Sequence, residues 1–368
     1  MEMMDDITLR NELDKIVNFS RVKIYFDSLK LPLGYVFDLF ERKDNGTIIL
    51  NKESESCFEK VSDPKNADFI FIPVPLSELN GTQEGMDIIA FHRDISISLH
   101  KPLLLVSDAD LLFDPGFRDV ILLTPGAYKS MGNQVSLPAL LPNDPLEKWF
   151  HGEFKIIEKF DRVSVGFCGQ ATSNFLKTVK DHLQYLGLNA MKVIGRSRYL
   201  YVPYFMAASE RAALLSSLEN SNLVQTDFLK RERYKGGAKS DQDQKRLEYE
   251  FFKNIYDNLF TICMRGFGNY SVRFFQTLAM GRIPVVIETD SILPFESQID
   301  YREICVMVPY KDRFKADQYI INFINSYSES ELKVIQKRCR QTWLDHFRKK
   351  GLIYGLSQEL KNMTFYQN

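Results

Sequence analysis

Four short apolar runs punctuate the first half of the chain, at residues 22–26, 68–74, 103–107 and 120–123. Runs of this length fit strands buried within a sheet. Between the second and third, "EGMDIIAFHRDISISLHK" is long enough for a crossover helix, so this half reads as one sheet with helices on its faces. The pattern breaks at "LPNDPLEKWFHGE" (141–153), where two prolines, an Asn-Asp step and a glycine interrupt it. It then restarts with a strand at 162–168 and a helix at 173–186 closed by Gly187. The charged stretch "KRERYKGGAKSDQDQKR" (230–246) reads as an exposed loop, followed by a helix at 247–257 and a strand at 259–264. A helical tail spans 330–361. The alternation predicts an α/β fold of two Rossmann-like domains, 1–150 and 151–330, with 331–368 as helices packing back on the first.

Composition narrows the function classes. With 45% hydrophobic and 13% aromatic residues, the 368-residue chain can fill two cores, which excludes a single small binding module. Lys and Arg total 47 against 48 Asp and Glu, so no overall basic field exists to hold nucleic acid, and any anion site must be local. Cys57, Cys168, Cys263, Cys305 and Cys339 form no Cys-x-x-Cys pair and read as free thiols of a reducing compartment. The start, "MEMMDDITLRNELDKI", lacks the basic-then-apolar order of a secretion signal, and no apolar run nears the roughly 20 residues of a membrane span. The expectation is a cytoplasmic protein without a membrane span, with peripheral association left open. Asn-x-Ser/Thr triplets at Asn18, Asn45, Asn80, Asn269 and Asn362 are read as coincidental.

The richest chemistry lies in "RGFGNYSVRFFQTLAMGRIPVVI" (265–287). The apolar strand "LFTICM" runs into Arg265, Gly266, Phe267, Gly268, Asn269, Tyr270 and Ser271, after which helical periodicity begins. Asn269 and Ser271 are both good N-cap residues, Gly281 suits a C-terminal cap, and "RIPVVIE" returns as the next parallel strand. In such a unit the loop presents backbone N–H groups and the positive end of a helix dipole, glycines allow close approach, and Arg265 adds a fork for phosphate. Arg273, Gln276 and Thr277 share the polar face of the helix. A plain βαβ unit with a solvated Arg273 fits the local pattern equally well. Gly266-x-Gly268-x-x-Ser271 also lacks the third glycine of a dinucleotide fingerprint.

The longer segment "RGFGNYSVRFFQTLAMGRIPVVIETDSILPFESQID" closely resembles the signature of exostosin-family glycosyltransferases. In that family Arg-Gly-x-Gly-x-x-Ser-x-Arg precedes a Glu-containing helix, then Gly-x-Ile-Pro-Val, an Asp and Leu-Pro-Phe. Weaker likeness extends to "ADFIFIPVPLS", "TPGAYKS" and "VGFCGQA". The resemblance implies a GT-B fold, two Rossmann-like domains facing across a cleft, with the acceptor on the first and the donor on the second. It implies inverting transfer from a nucleotide-diphosphate sugar, commonly UDP-linked, to a glycan or polysaccharide, with no metal and no further cofactor. Arg265, Gly266, Gly268, Asn269, Tyr270, Ser271 and Arg273 then correspond to the donor loop. Gln276 departs from the pattern, standing where the family carries Glu; it keeps a carbonyl acceptor but loses the charge. A catalytically silent partner subunit of a glycan-synthesising complex therefore stays open.

"KPLLLVSDADLLFD" supplies the other constellation, Asp108 and Asp110 after an apolar strand. Two carboxylates two residues apart can hold a hard cation, as in metal-dependent GT-A glycosyltransferases, which is the alternative reading. In the GT-B reading they face the cleft, and an inverting transfer needs one base to deprotonate the acceptor hydroxyl. Asp108 is the candidate, Asp110 the reserve and His92 the third choice. Lys129, Arg231 and Arg233 are the remaining candidate contacts for donor or acceptor.

Overall fold

The computed structural model describes residues 21–27, 31, 35–79, 81–158, 163–172, 174–232, 237 and 240–365. In the first lobe, β1 (Val22–Tyr25), β4 (Phe58–Lys60), β5 (Phe69–Ile72), β6 (Leu103–Val106), β7 (Val120–Thr124) and β8 (Gln134–Ser136) form one parallel sheet in the order β4-β1-β5-β6-β7-β8. Every residue of β5, β6 and β7 is buried, as expected of parallel strands covered on both faces. An antiparallel hairpin, β2 (Phe40–Arg42) and β3 (Ile48–Leu50), stands apart. A short helix, α1 (Leu76–Leu79), leads to α2 (Gln83–Leu99), the crossover between β5 and β6. Thr82 caps α2 by accepting the Gly85 N–H at 3.0 Å.

The break near 141–153 contains α3 (Pro145–Phe150), capped by Asp144. Beyond it come β9 (Val163–Gln170), α4 (Phe175–Val193), α5 (Ala207–Glu219), β10 (Val224–Arg231), α6 (Asp241–Asp257), β11 (Phe260–Cys263), α7 (Val272–Ala279), β12 (Ile283–Glu288) and β13 (Val306–Pro309). Their sheet is also parallel, in the order β10-β9-β11-β12-β13. Numbered by appearance, both sheets begin 2-1-3-4-5, a doubly wound order. Three helices close the chain: α8 (Ala316–Asn325), α9 (Glu329–His346) and α10 (Lys349–Phe365). α9 packs on α7 of the second lobe and α10 reaches β1 of the first, the return that the tail was expected to make. Two doubly wound lobes joined in this way form the α/β, GT-B architecture.

Three local expectations differ from the structure. The helix expected to stop at Gly187 continues to Val193. A glycine inside a helix costs only about 1 kcal/mol, and contacts beyond it hold this one: Asn189 exchanges two hydrogen bonds with Val202, each 3.0 Å. The segment expected to be a loop from residue 230 is still strand there, because Lys230 and Arg231 pair in register with Gly169 and Gln170. The helix expected from residue 247 starts at Asp241, where Ser240 accepts the Asp243 N–H at 3.1 Å and two aspartates favour the helix dipole.

Candidate functional site

The winding of the second sheet reverses between β9 and β11, and the carboxyl ends of those strands leave a crevice there. Arg273, in the first turn of α7, turns back toward β9 and donates from Nη2 to Cys168 O at 2.8 Å. Its guanidinium lies 4.2 Å from the Phe167 ring centre and 5.6 Å from that of Phe251. Gly169 makes this approach possible, since a Cβ at that position would sit 2.5 Å from Arg273 Nη2. Arg211 projects from α5, its Nε donating to Ala207 O at 2.8 Å. Burial, reinforced by the Arg273 charge, pulls Arg211 down to about 10, and burial lowers Arg273 as well. Both stay cationic at neutral pH, and among the described residues neither has a carboxylate partner, whereas neighbouring Arg231 pairs with Glu250 at 3.3 Å. Among the described residues Arg273 Nε is buried without a hydrogen bond. Two desolvated cations at a sheet switch point make the crevice a candidate anion site.

Beside Arg211 opens a cavity of about 210 Å³, lined also by Gln170, Asp181, Gln184, Tyr185 and Phe205. Phe267, from the glycine loop, completes its wall. A second hollow behind the same loop measures about 30 Å³, room for a water molecule rather than a phosphate group.

The glycine loop itself is tied to the first lobe. Arg265, only 4% exposed, donates to Asn269 Oδ1 at 2.9 Å, to Phe267 O at 2.9 Å and to the Tyr128 hydroxyl at 3.2 Å. Asn269 Nδ2 donates to Ala127 O at 3.0 Å and to Asp290 O at 3.3 Å. The Lys129 N–H donates to Asp290 O at 2.9 Å, while the residue itself is exposed. The Gly266 N–H bonds Tyr270 O at 3.2 Å. Gly268 admits the first lobe: a Cβ there would stand 3.0 Å from Asp110 Oδ1. Ser271 occupies the N-cap position of α7 without a side-chain hydrogen bond. Gln276 is half-buried and lines neither hollow. Arg233 lies outside the described residues.

Across the cleft, Asp110 Oδ1 accepts from the Tyr270 hydroxyl at 3.0 Å, and Asp108 Oδ2 accepts from Ser77 Oγ at 2.7 Å. Asp110 therefore meets the glycine loop, while the contact of Asp108 lies within the first lobe. Nearby Tyr35 is pushed up to about 12 by burial, with Asp38 and Asp108 adding to it, and burial raises Asp38. His92 does not join them. It is fully buried, its Nδ1 2.9 Å from Ile88 O and its Nε2 accepting the Asp27 N–H at 3.3 Å, so both ring nitrogens are committed.

Residues 200–321 match the Exostosin GT47 domain. The matched segment is about a third of the chain, and over it the chain is similar to the exostosin-family glycosyltransferases. A probable glucuronosyltransferase of Oryza sativa subsp. japonica is 28% identical over 138 residues, 38% of this chain and 27% of that protein. The probable β-1,4-xylosyltransferase IRX10 of Arabidopsis thaliana is 34% identical over 62 residues, 17% of this chain and 15% of that protein. The chain thus spans about a quarter or less of the length of these relatives. Among solved structures, a glycosyltransferase from Rickettsia africae superposes with a TM-score of 0.35 at 10% identity, over 81% of this chain and 77% of that one. MurG of Acinetobacter baumannii gives 0.32 at 11% identity, over 96% and 88%.

The exostosin domain contains Arg211, the glycine loop and Arg273, but not α4. Sequence reasoning missed Arg211, Tyr185 and Phe205. The one available signal for Arg211 was a lone cation in the Ala- and Leu-rich "AASERAALLSSL", which is also the look of a solvated helix face.

Proposed function

We propose that the protein is an inverting glycosyltransferase that moves a sugar from a UDP-linked donor to a glycan or polysaccharide acceptor, without a resident metal. The observation that carries this reading is the pair Arg211 and Arg273, two cations without carboxylate partners among the described residues, converging on the β9–β11 crevice beside a cavity. A diphosphate supplies the charge that such a pair lacks, and arginine forks bind its oxygens. As the bond from the anomeric carbon to the diphosphate oxygen breaks, the negative charge left on the diphosphate is stabilised by these cations. The acceptor oxygen attacks from the opposite face while Asp108 accepts its proton, with Ser77 holding the other side of that carboxylate. The named activities of the plant relatives supply donor candidates, UDP-glucuronic acid and UDP-xylose.

The metal-dependent alternative needs Asp108 and Asp110 turned on one cation, whereas here Ser77 and Tyr270 hold them separately. Gln276 motivates a second reading, a silent partner subunit. A transfer assay with purified chain, UDP-sugars and EDTA tests the proposal. UDP release that Asp108→Asn lowers at least about a hundredfold supports it. Donor binding without any turnover on a panel of glycan acceptors favours the silent subunit.

A further inference from the structure

Between β9 and β10 the chain makes two helices where one crossover suffices. α5 is the crossover, packed against β10. α4 is additional, and its inward face closes the cavity with Asp181, Gln184 and Tyr185. It is fixed in place: the Tyr185 hydroxyl donates to Phe205 O at 2.7 Å, and Lys192 pairs with Asp114 of the first lobe. Phe113 and Tyr199 form a β-bridge that ties the following segment to that lobe as well. The cavity thus has two walls of different origin. Phe205, Arg211 and Phe267 fall within residues 200–321, the exostosin domain, while Gln170, Asp181, Gln184 and Tyr185 fall outside it.

We infer that α4 builds the pocket for the donor's sugar, with the diphosphate on Arg211 and the ring among Tyr185, Phe205 and Phe267. The sugar hydroxyls meet the Asp181 carboxylate and the Gln184 amide. This rests on the functional reading above. A carboxylate accepts hydroxyl hydrogens, an amide both accepts and donates, and aromatic faces pack on the C–H face of a pyranose. A cavity of about 210 Å³ is smaller than the roughly 300–1,000 Å³ of whole-ligand sites, and suits one sugar ring rather than a complete nucleotide sugar.

The test is calorimetric titration of the full chain in EDTA with UDP, UDP-glucose, UDP-xylose and UDP-glucuronic acid, using wild type, Asp181→Ala, Gln184→Ala and Arg211→Ala. Wild type should bind at least one UDP-sugar more tightly than UDP. Asp181→Ala and Gln184→Ala should each weaken that UDP-sugar by about tenfold while leaving UDP within about twofold, the size expected for one hydrogen-bonding group. Arg211→Ala should weaken all four ligands. Unfolding midpoints measured alongside show that each variant is folded, and Gln184→Ala keeps the test standing if Asp181→Ala is not. Unchanged UDP-sugar affinity in the folded variants would overturn the inference. So would equal loss of UDP and UDP-sugar. If wild type binds none of the four, the functional reading itself falls, an outcome distinct from any in which UDP binds.

Discussion

Arg265, Arg273 and Arg282 fall within one short motif, yet their guanidinium groups meet different surroundings. Arg282 is fully buried and donates to Tyr256 O at 3.1 and 2.8 Å, fastening the end of α6 to the start of β12. Burial pulls it down to about 10. Arg265 organises the glycine loop through Asn269, and Arg273 turns toward the crevice beside β9. Asn269 is thus a structural joint as well as a signature residue. Asn269→Ala would strand one Arg265 donor in a buried place, worth about 1–3 kcal/mol, and would remove one of the two hydrogen bonds to Ala127 O, which keeps the Ile292 N–H. The expected result is a loss of at least about 1 kcal/mol in denaturant unfolding, without loss of secondary structure by circular dichroism. A loss below about 0.5 kcal/mol would contradict the joint.

At the scale of elements, legibility followed burial. β5, β6 and β7 stood out as apolar runs because both their faces are covered. β10 did not: it is an edge strand whose burial alternates and whose end is Lys230 and Arg231, so its sequence looks like a solvated loop. The strand-loop-helix-strand around α7 was legible from its caps, including Gly281, whose φ of 62° suits a left-handed turn and where a Cβ would strike Phe154. The cavity was not legible, since β9, α4, α5 and the glycine loop each contribute one or a few residues and no local pattern records their convergence. The end of α9 supplies a pH test. His346 Nδ1 is buried without a partner, and burial lowers its pKa against the pull of Asp345. The folded chain favours the neutral ring, so the unfolded chain binds more protons below the ordinary value of 6.5. Its contribution is complete above that pH and is lost as pH falls. His346→Gln should flatten the fall in unfolding midpoint between about pH 7 and about pH 5; parallel curves for the two proteins would refute this.

Across the whole molecule, two β-bridges join the lobes, one of Tyr128 with Ser291 and the other of Phe113 with Tyr199. Arg211 and Arg273 stand on the second lobe and Asp108 and Asp110 on the first, a division that suits a donor diphosphate on one side and an acceptor hydroxyl on the other. Among the described residues no helix is long and apolar enough to cross a membrane. Whether Arg211 and Arg273 hold a nucleoside diphosphate is decided by titrating UDP into wild type and Arg211→Ala in EDTA. Saturable binding weakened about 10- to 100-fold by the substitution, the worth of a charge-assisted hydrogen bond, is the predicted result. Equal affinities in the two proteins, or no binding to wild type, would contradict it.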